Sequence, residues 1–598
     1  MLNWLKQLFT SVEKPKEQVP QTPSQPVYVA PPAMLGSAEL KKQGDDHLAR
    51  GDMASAATCY RKAIVIDPDF AKAHSNLGFV LMQQGRADEA ERSLKQALAL
   101  DPKNADTCFM LGNLAILSRS DLESGCQYFQ KAVELMPDFD VAYLDWRRYM
   151  SLQGKLEQVK QFLIAGIASD PARADFQNYL GNIYQDEQQF EQAMACFQQA
   201  LAIRPDDADV LENLGFVLFK QNQVSQANAA YDKALALRQQ ATVLGPDDLD
   251  LHYKLATLLL VLNRHQEAIA SFNQILTLNP GYVEARLGRG LTSLLIGEFE
   301  TGWKDTRDLA SYAAVGYPEF RQPLWLNDSD INGKSILLFA DQGLGDTIQF
   351  VRYAEQIKKL GAKVYVRAHT SLKSLLGTLA DLDGIFGEED ILPLFDYCCP
   401  LSNVALAFNT SLETIPASVP YLQAAKERVA YWESQLSSFQ APRIGIVWSG
   451  NPLFRNDKNR SVHLQRLAAL LMDGSRHFFL LQKEVRALDA PFMASLKNVT
   501  DLGPQLNDFA ETAAVIANLD LVITVDTSVA HLAGALGKPV WILLPFAPDF
   551  RWLLGRSDSP WYPTARLFRQ PTIANWDTVL DEIKRDLDVE FPVQESST

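Results

Sequence analysis

The chain lacks any run of about 18 apolar residues that would cross a bilayer, so no transmembrane helix is expected. The opening MLNWLKQLFT has no apolar signal core and no small-residue cleavage site, which argues against secretion. Positive charge is in the minority: 56 Lys and Arg stand against 72 Asp and Glu, a formal net charge of −16. No basic excess remains for phosphate backbones, and nucleic acid is not an expected partner. Cysteine is scarce. Cys59, Cys108, Cys126, Cys196, Cys398 and Cys399 form no CxxC pair and no His/Cys cluster of zinc spacing. That usage fits a reducing compartment, and the expected location is cytoplasmic. No Gly-x-Ser-x-Gly, HExxH or P-loop stretch occurs, so hydrolase and kinase chemistry are disfavoured.

What is present divides into two halves. Pro68, Pro102, Pro137, Pro171 and Pro205 recur at steps of 34, 35, 34 and 34 residues; Pro246 follows after 41 and Pro280 after 34. The unit at 71–104 places Leu77, Gly78 and Leu81 on one helical face and Ala90, Leu94 and Ala97 on the next. Asp101-Pro102 ends the second helix, because proline disfavours helix in the residue before it. Units at 37–70, 174–207, 208–248 and 249–282 repeat the pattern, and 208–248 carries about seven extra residues. In the degenerate unit at 140–173, Trp146 and Arg147 replace the Leu-Gly pair. A last helix pair, about 283–310, is expected to dock the array on the next domain.

This spacing resembles tetratricopeptide repeats over about 240 residues. The resemblance implies an α-solenoid whose groove takes a protein partner or acceptor. O-GlcNAc transferases join such repeats to a catalytic half and line the groove with an asparagine ladder. Here that position holds Asn76 and Asn213, but Met110, Tyr179 and Lys254 elsewhere.

Beyond residue 330 the pattern changes to apolar strands, glycine turns and helices. Strand Lys334–Ala340 runs into Asp341-Gln342-Gly343-Leu344-Gly345-Asp346-Thr347, then a helix through about Leu360, then strand Lys363–Ala368. A second series begins with IGIVWSGNP after Arg443. It continues through strand His477–Leu481, helix Phe509–Ala517 and strand Leu521–Val525 to Asp526-Thr527-Ser528, with His531 one turn into the next helix. Strand Val540–Leu544 follows. This order sets the amides of Asp526, Thr527 and Ser528 at a helix start beyond a strand's carboxyl end, a place suited to a diphosphate. Two such α/β units form an expected pair of Rossmann-like domains.

The pair resembles family-9 glycosyltransferases, the ADP-heptose:lipopolysaccharide heptosyltransferase superfamily, over about residues 331–570. More closely, it resembles bacterial tetratricopeptide proteins that carry such a domain. The resemblance implies the GT-B architecture. It implies Asp346, after Gly345, as catalytic base. It implies Lys458, with Arg460 nearby, on donor phosphate, and Asp526, Thr527, Ser528 and His531 on donor diphosphate. Gln482 ends a strand where it is expected to face the nucleotide. Asp381-Leu382-Asp383 and Asp586-Leu587-Asp588 have a metal-binding spacing but do not follow buried strands, so no metal is expected.

The expected organisation is a disordered segment and linker (1–36), a repeat array (37–310), an acceptor-side Rossmann-like domain (311–435) and a nucleotide-sugar domain (436–598). The leading reading is a metal-independent, inverting transferase that uses a nucleotide-diphosphate sugar as co-substrate and no cofactor. Membrane contact is expected only through residues 1–10, peripherally at the inner membrane. The alternative is a non-enzymatic repeat scaffold with a degenerate GT-B half. A GT-B epimerase is a third reading.

Overall fold

The computed structural model describes residues 36–221, 223–307, 320–379, 382–452, 457–472 and 476–592. The amphipathic segment 1–10 and nearly all of the linker lie outside them. The chain divides into two compact units between Leu237 and Arg238.

Among the described residues, sixteen helices run from Ser37–Ala49 to Phe299–Asp305. The repeat logic is steric. A Cβ on Gly78 would lie 2.5 Å from Leu94 Cγ, and one on Gly215 would lie 2.8 Å from Tyr231 Cε2. Glycine in the first helix therefore lets the large side chain of the second lie against its backbone. Some unit starts carry polar caps: Asn104 accepts from the Thr107 N–H at 2.8 Å, and Asp207 and Asp248 cap the helices that follow them. The degenerate unit substitutes aromatic packing, with Trp146 buried edge-on to Phe162 at 5.0 Å. Arg147 there pairs with Asp186 at 2.9 Å. The extra residues of unit 208–248 are absorbed as helix: Val224–Leu244 has 21 residues where Phe190–Ile203 has 14.

The second unit contains two parallel sheets, compatible with Rossmann-like domains. β1 (Ser335–Phe339), β2 (Lys363–Arg367), β3 (Gly384–Phe386) and β4 (Tyr397–Pro400) take the order β3-β2-β1-β4. β5 (Ile444–Val447), β6 (Phe478–Leu480), β7 (Val499–Asp501), β8 (Leu521–Val525), β9 (Val540–Leu544) and β10 (Ala565–Arg569) take the order β10-β9-β8-β5-β6-β7. Both orders reverse direction once, between β1 and β4 and between β5 and β8. Ligands of open α/β sheets bind beyond the carboxyl ends of strands at such reversals. The helix expected through Leu360 is broken: Leu344–Phe350, a 3-10 turn at Val351–Tyr353, then Ala354–Lys359.

The last helix pair, Val283–Leu295 and Phe299–Asp305, shares its core with the α/β region. Trp303 is buried, lies edge-on to Phe350 and Phe550, and donates its indole N–H to the Thr410 carbonyl at 3.0 Å. Trp303→Ala should cost about 3–5 kcal/mol. Hydrogen exchange checks this: β1 and Leu344–Phe350 should exchange faster, with Ala71–Leu100 unchanged. Unaltered exchange in β1 would show the contact to be marginal.

Candidate functional site

Two chain reversals supply the site. At the carboxyl end of β1, Asp341 is buried and accepts from the Ser402 N–H at 3.0 Å and from its hydroxyl. This bond ties the loop after β1 to the loop after β4. Burial pushes the Asp341 carboxyl up, the Ser402 bonds pull it down, and the charge of Asp346 adds to the rise. Gly345 and Asp346 fall in the first turn of the Leu344–Phe350 helix rather than in a loop. Asp346 Oδ2 reaches back to accept from the Gly343 N–H at 3.0 Å.

At the other reversal, the Ser528–Ala535 helix starts directly beyond β8. Its N-cap is Thr527, at φ −140° and ψ 174°, and no side chain caps it. Asp526 therefore lies one residue before the cap, where the sequence pattern had grouped it with the helix start. Arg460 donates to the Asp526 carbonyl at 2.9 Å. Burial and then the charge of Asp549 push the Asp526 carboxyl up, against Arg460 and Arg551.

The two reversals meet. A Cβ on Gly345 would lie 2.8 Å from His531 Cδ2 and 3.6 Å from Ser528 Cα. What the missing side chain admits is thus the opposite helix. Asp346 Oδ1 pairs with the Arg551 guanidinium. His531 is buried, with Nδ1 2.9 Å from Tyr562 Oη and its ring stacked on Trp552 at 5.3 Å. Trp552, Trp561 and Tyr562 are core residues.

The structure therefore brings together Gly345, Asp346, Arg460, Asp526, Thr527, Ser528 and His531. Gln482 lies two residues beyond β6 rather than at a strand end; its amide oxygen accepts from the Ser449 N–H at 3.1 Å and its amide nitrogen donates to the Glu484 carbonyl at 3.2 Å, stapling two loops. Lys458 belongs to the short helix Asp457–Arg460, but its side chain is outside the described residues, as are Arg455 and Asn456. Asp383 accepts from Lys358 and from the Val364 N–H. Asp586 and Asp588 lie in the Trp576–Glu590 helix and pair with Arg566 and Arg476. Asp341, Arg551 and Asp549 were missed, although the hydrophobic-to-Asp step after β1 was available as a signal.

Residues 44–85, 71–104, 181–222, 212–283 and 253–300 match tetratricopeptide repeats. Residues 482–544 match glycosyltransferase family 9 (heptosyltransferase). The chain joins tetratricopeptide repeats to a segment of family-9 glycosyltransferase type. That segment spans Asp526 to His531 but not Asp346 or Arg551. Protein FlbA of Caulobacter vibrioides is 24% identical over 330 residues, 50% of this chain and 54% of that protein. Human protein O-mannosyl-transferase TMTC3 is 25% identical over 186 residues, 31% of this chain and 20% of that protein. The chain thus spans about half the length of the first and a fifth of the second. The crystal structure of MamA protein aligns at 19% identity and TM-score 0.20, over 34% of this chain and 92% of that one. Among the described residues, no helix is long and apolar enough to cross a membrane.

Burial, then Arg551, Arg352 and Arg460, hold the His531 pKa well below its ordinary value. The folded state then binds this proton more weakly than the unfolded chain. The stability so contributed is full above the unfolded pKa of about 6.5 and is lost as pH falls toward the folded value. Between pH 7 and 5 the wild type should lose more melting temperature than His531→Gln, a difference of up to about 1.4 kcal/mol per pH unit. Parallel melting curves would show that His531 ionises freely.

Proposed function

We propose that this chain is a metal-independent, inverting glycosyltransferase of the GT-B type. Its donor is a nucleotide-diphosphate sugar, and its repeats recruit a protein acceptor or partner. The observation that carries this reading is the Ser528–Ala535 helix start: uncapped by a side chain, at the sheet reversal, facing Gly345 and Asp346 across the lobes. The family-9 match over the same segment supports it. The relatives' partial coverage leaves substrate and partner as part of the proposal.

The chemistry follows from the placement. The free N–H groups and the helix dipole favour a diphosphate at Thr527 and Ser528. Asp346 takes the proton of an acceptor hydroxyl. The oxygen attacks the anomeric carbon, the bond to the donor diphosphate breaks with its electron pair, and configuration inverts. Leaving-group charge is met by helix N–H groups and by Arg460 and Lys458. His531, neutral and buried, orders the opposing helix face. Gln482 holds the loops beneath the nucleotide.

For the repeats, a cavity of about 300 Å³ lined by Glu134, Phe162, Gly166, Arg173 and Phe176 offers an apolar recess beside a cation. The amides of Asn76 and Asn213 donate within the chain, to Asp45 and Asn178.

Thr527, at φ −140°, cannot be replaced by proline without strain, whereas Ser528 is the first helical residue, where proline is tolerated. Ser528→Pro should keep the helix, remove one N–H and weaken nucleoside diphosphate binding by roughly 1.5–3 kcal/mol. Unchanged affinity in calorimetry would place the phosphate elsewhere. Asp346→Asn should slow sugar transfer by about 10²–10⁴-fold. Transfer at the wild-type rate would reduce Asp346 to a helix-start carboxylate.

A further inference from the structure

Arg551 is held by the site rather than by the fold. Its guanidinium pairs with Asp346 Oδ1, and Nη1 donates to Asp549 Oδ1 at 2.6 Å. It lies over the Phe550 ring at 4.4 Å, and its buried Nε has no hydrogen-bond partner. The Asp526 carboxyl also acts on it electrostatically. One cation is therefore shared among three carboxylates from both lobes.

Asp346 is correspondingly occupied: Oδ1 by Arg551, Oδ2 by the Gly343 N–H. A proton arriving at Oδ1 must displace the guanidinium. A diphosphate arriving at Ser528 brings further negative charge to a place that already holds Asp526 and Asp549. Arg551, which already interacts with the Asp526 carboxyl, can meet it alongside Arg460, through a fork that suits phosphate oxygens as well as carboxylate.

We infer that Arg551 is a positioning residue that latches Asp346 in the donor-free enzyme and transfers to the donor diphosphate when it binds, freeing Asp346 to accept a proton. Donor then precedes acceptor deprotonation. This rests on the reading that diphosphate binds at the Ser528 helix start.

The test uses the full chain and inorganic pyrophosphate as probe, in calorimetry. If Asp346 and diphosphate compete for Arg551, Asp346→Asn should bind pyrophosphate about tenfold more tightly than wild type, a coupling within the usual allosteric range. Arg551→Gln should bind it about tenfold more weakly, and the double variant should show no tightening. Arg551→Lys keeps the charge and serves if Arg551→Gln unfolds. Loss of the Asp346 charge alone would tighten binding in the double variant as well, so tightening that persists without Arg551 overturns the latch. Unchanged or weaker binding by Asp346→Asn, including no binding by either form, overturns the latch. Tightening in Asp346→Asn alongside a wild type that transfers no sugar would instead retain the latch and sink the transferase reading.

Discussion

The second unit depends on one buried guanidinium. Arg352, in the 3-10 turn after Leu344–Phe350, donates to the carbonyls of Gln349, Pro416 and Trp561 and to Tyr421 Oη. Its charge lies against the rings of Tyr421, Tyr562 and Trp561 at 4.4, 4.7 and 5.6 Å. A buried cation is costly unless its donors are met, and here they are met from both lobes and the segment between them. That requirement fixes where the first lobe's helix sits against the second. With Arg352 anchored, Gly345 meets His531 and Asp346 meets Arg551.

Much of the fold was legible because its signals are local. The 34-residue proline step located the repeats, and the Leu-Gly pair identified the close helix crossing at Gly78. Phe509–Ala517, Leu521–Val525 and Val540–Leu544 are continuous apolar runs with turn residues at both ends, and the observed elements have these bounds. What the sequence did not reveal depends on distance along the chain. Arg551 meets Asp346 across 205 residues, and Arg352 meets Trp561 across 209. No spacing rule reaches that far. The helix start after β8 was legible, but which of Asp526 and Thr527 takes the cap position was not: both suit it, and only the backbone turn at Thr527 decides.

The site concentrates charge in a small volume. Asp346, Asp526 and Asp549 gather around Arg551, Arg460 adds its charge at Asp526, and Asp341 lies within reach of the Asp346 charge. Such crowding is unfavourable for stability alone, because burial already pushes Asp341 and Asp526 toward their protonated forms. It becomes reasonable where an anionic ligand and a proton must be exchanged in sequence. The repeats are built differently, from glycine crossings filled by a large side chain of the neighbouring helix.

The most direct measurement is a crystal structure of the full chain with a nucleoside diphosphate bound. The diphosphate should lie within hydrogen-bonding reach of the Ser528 N–H, with the Arg551 guanidinium turned from Asp346 toward phosphate oxygens. A diphosphate bound away from the Thr527–Ser528 turn would contradict it.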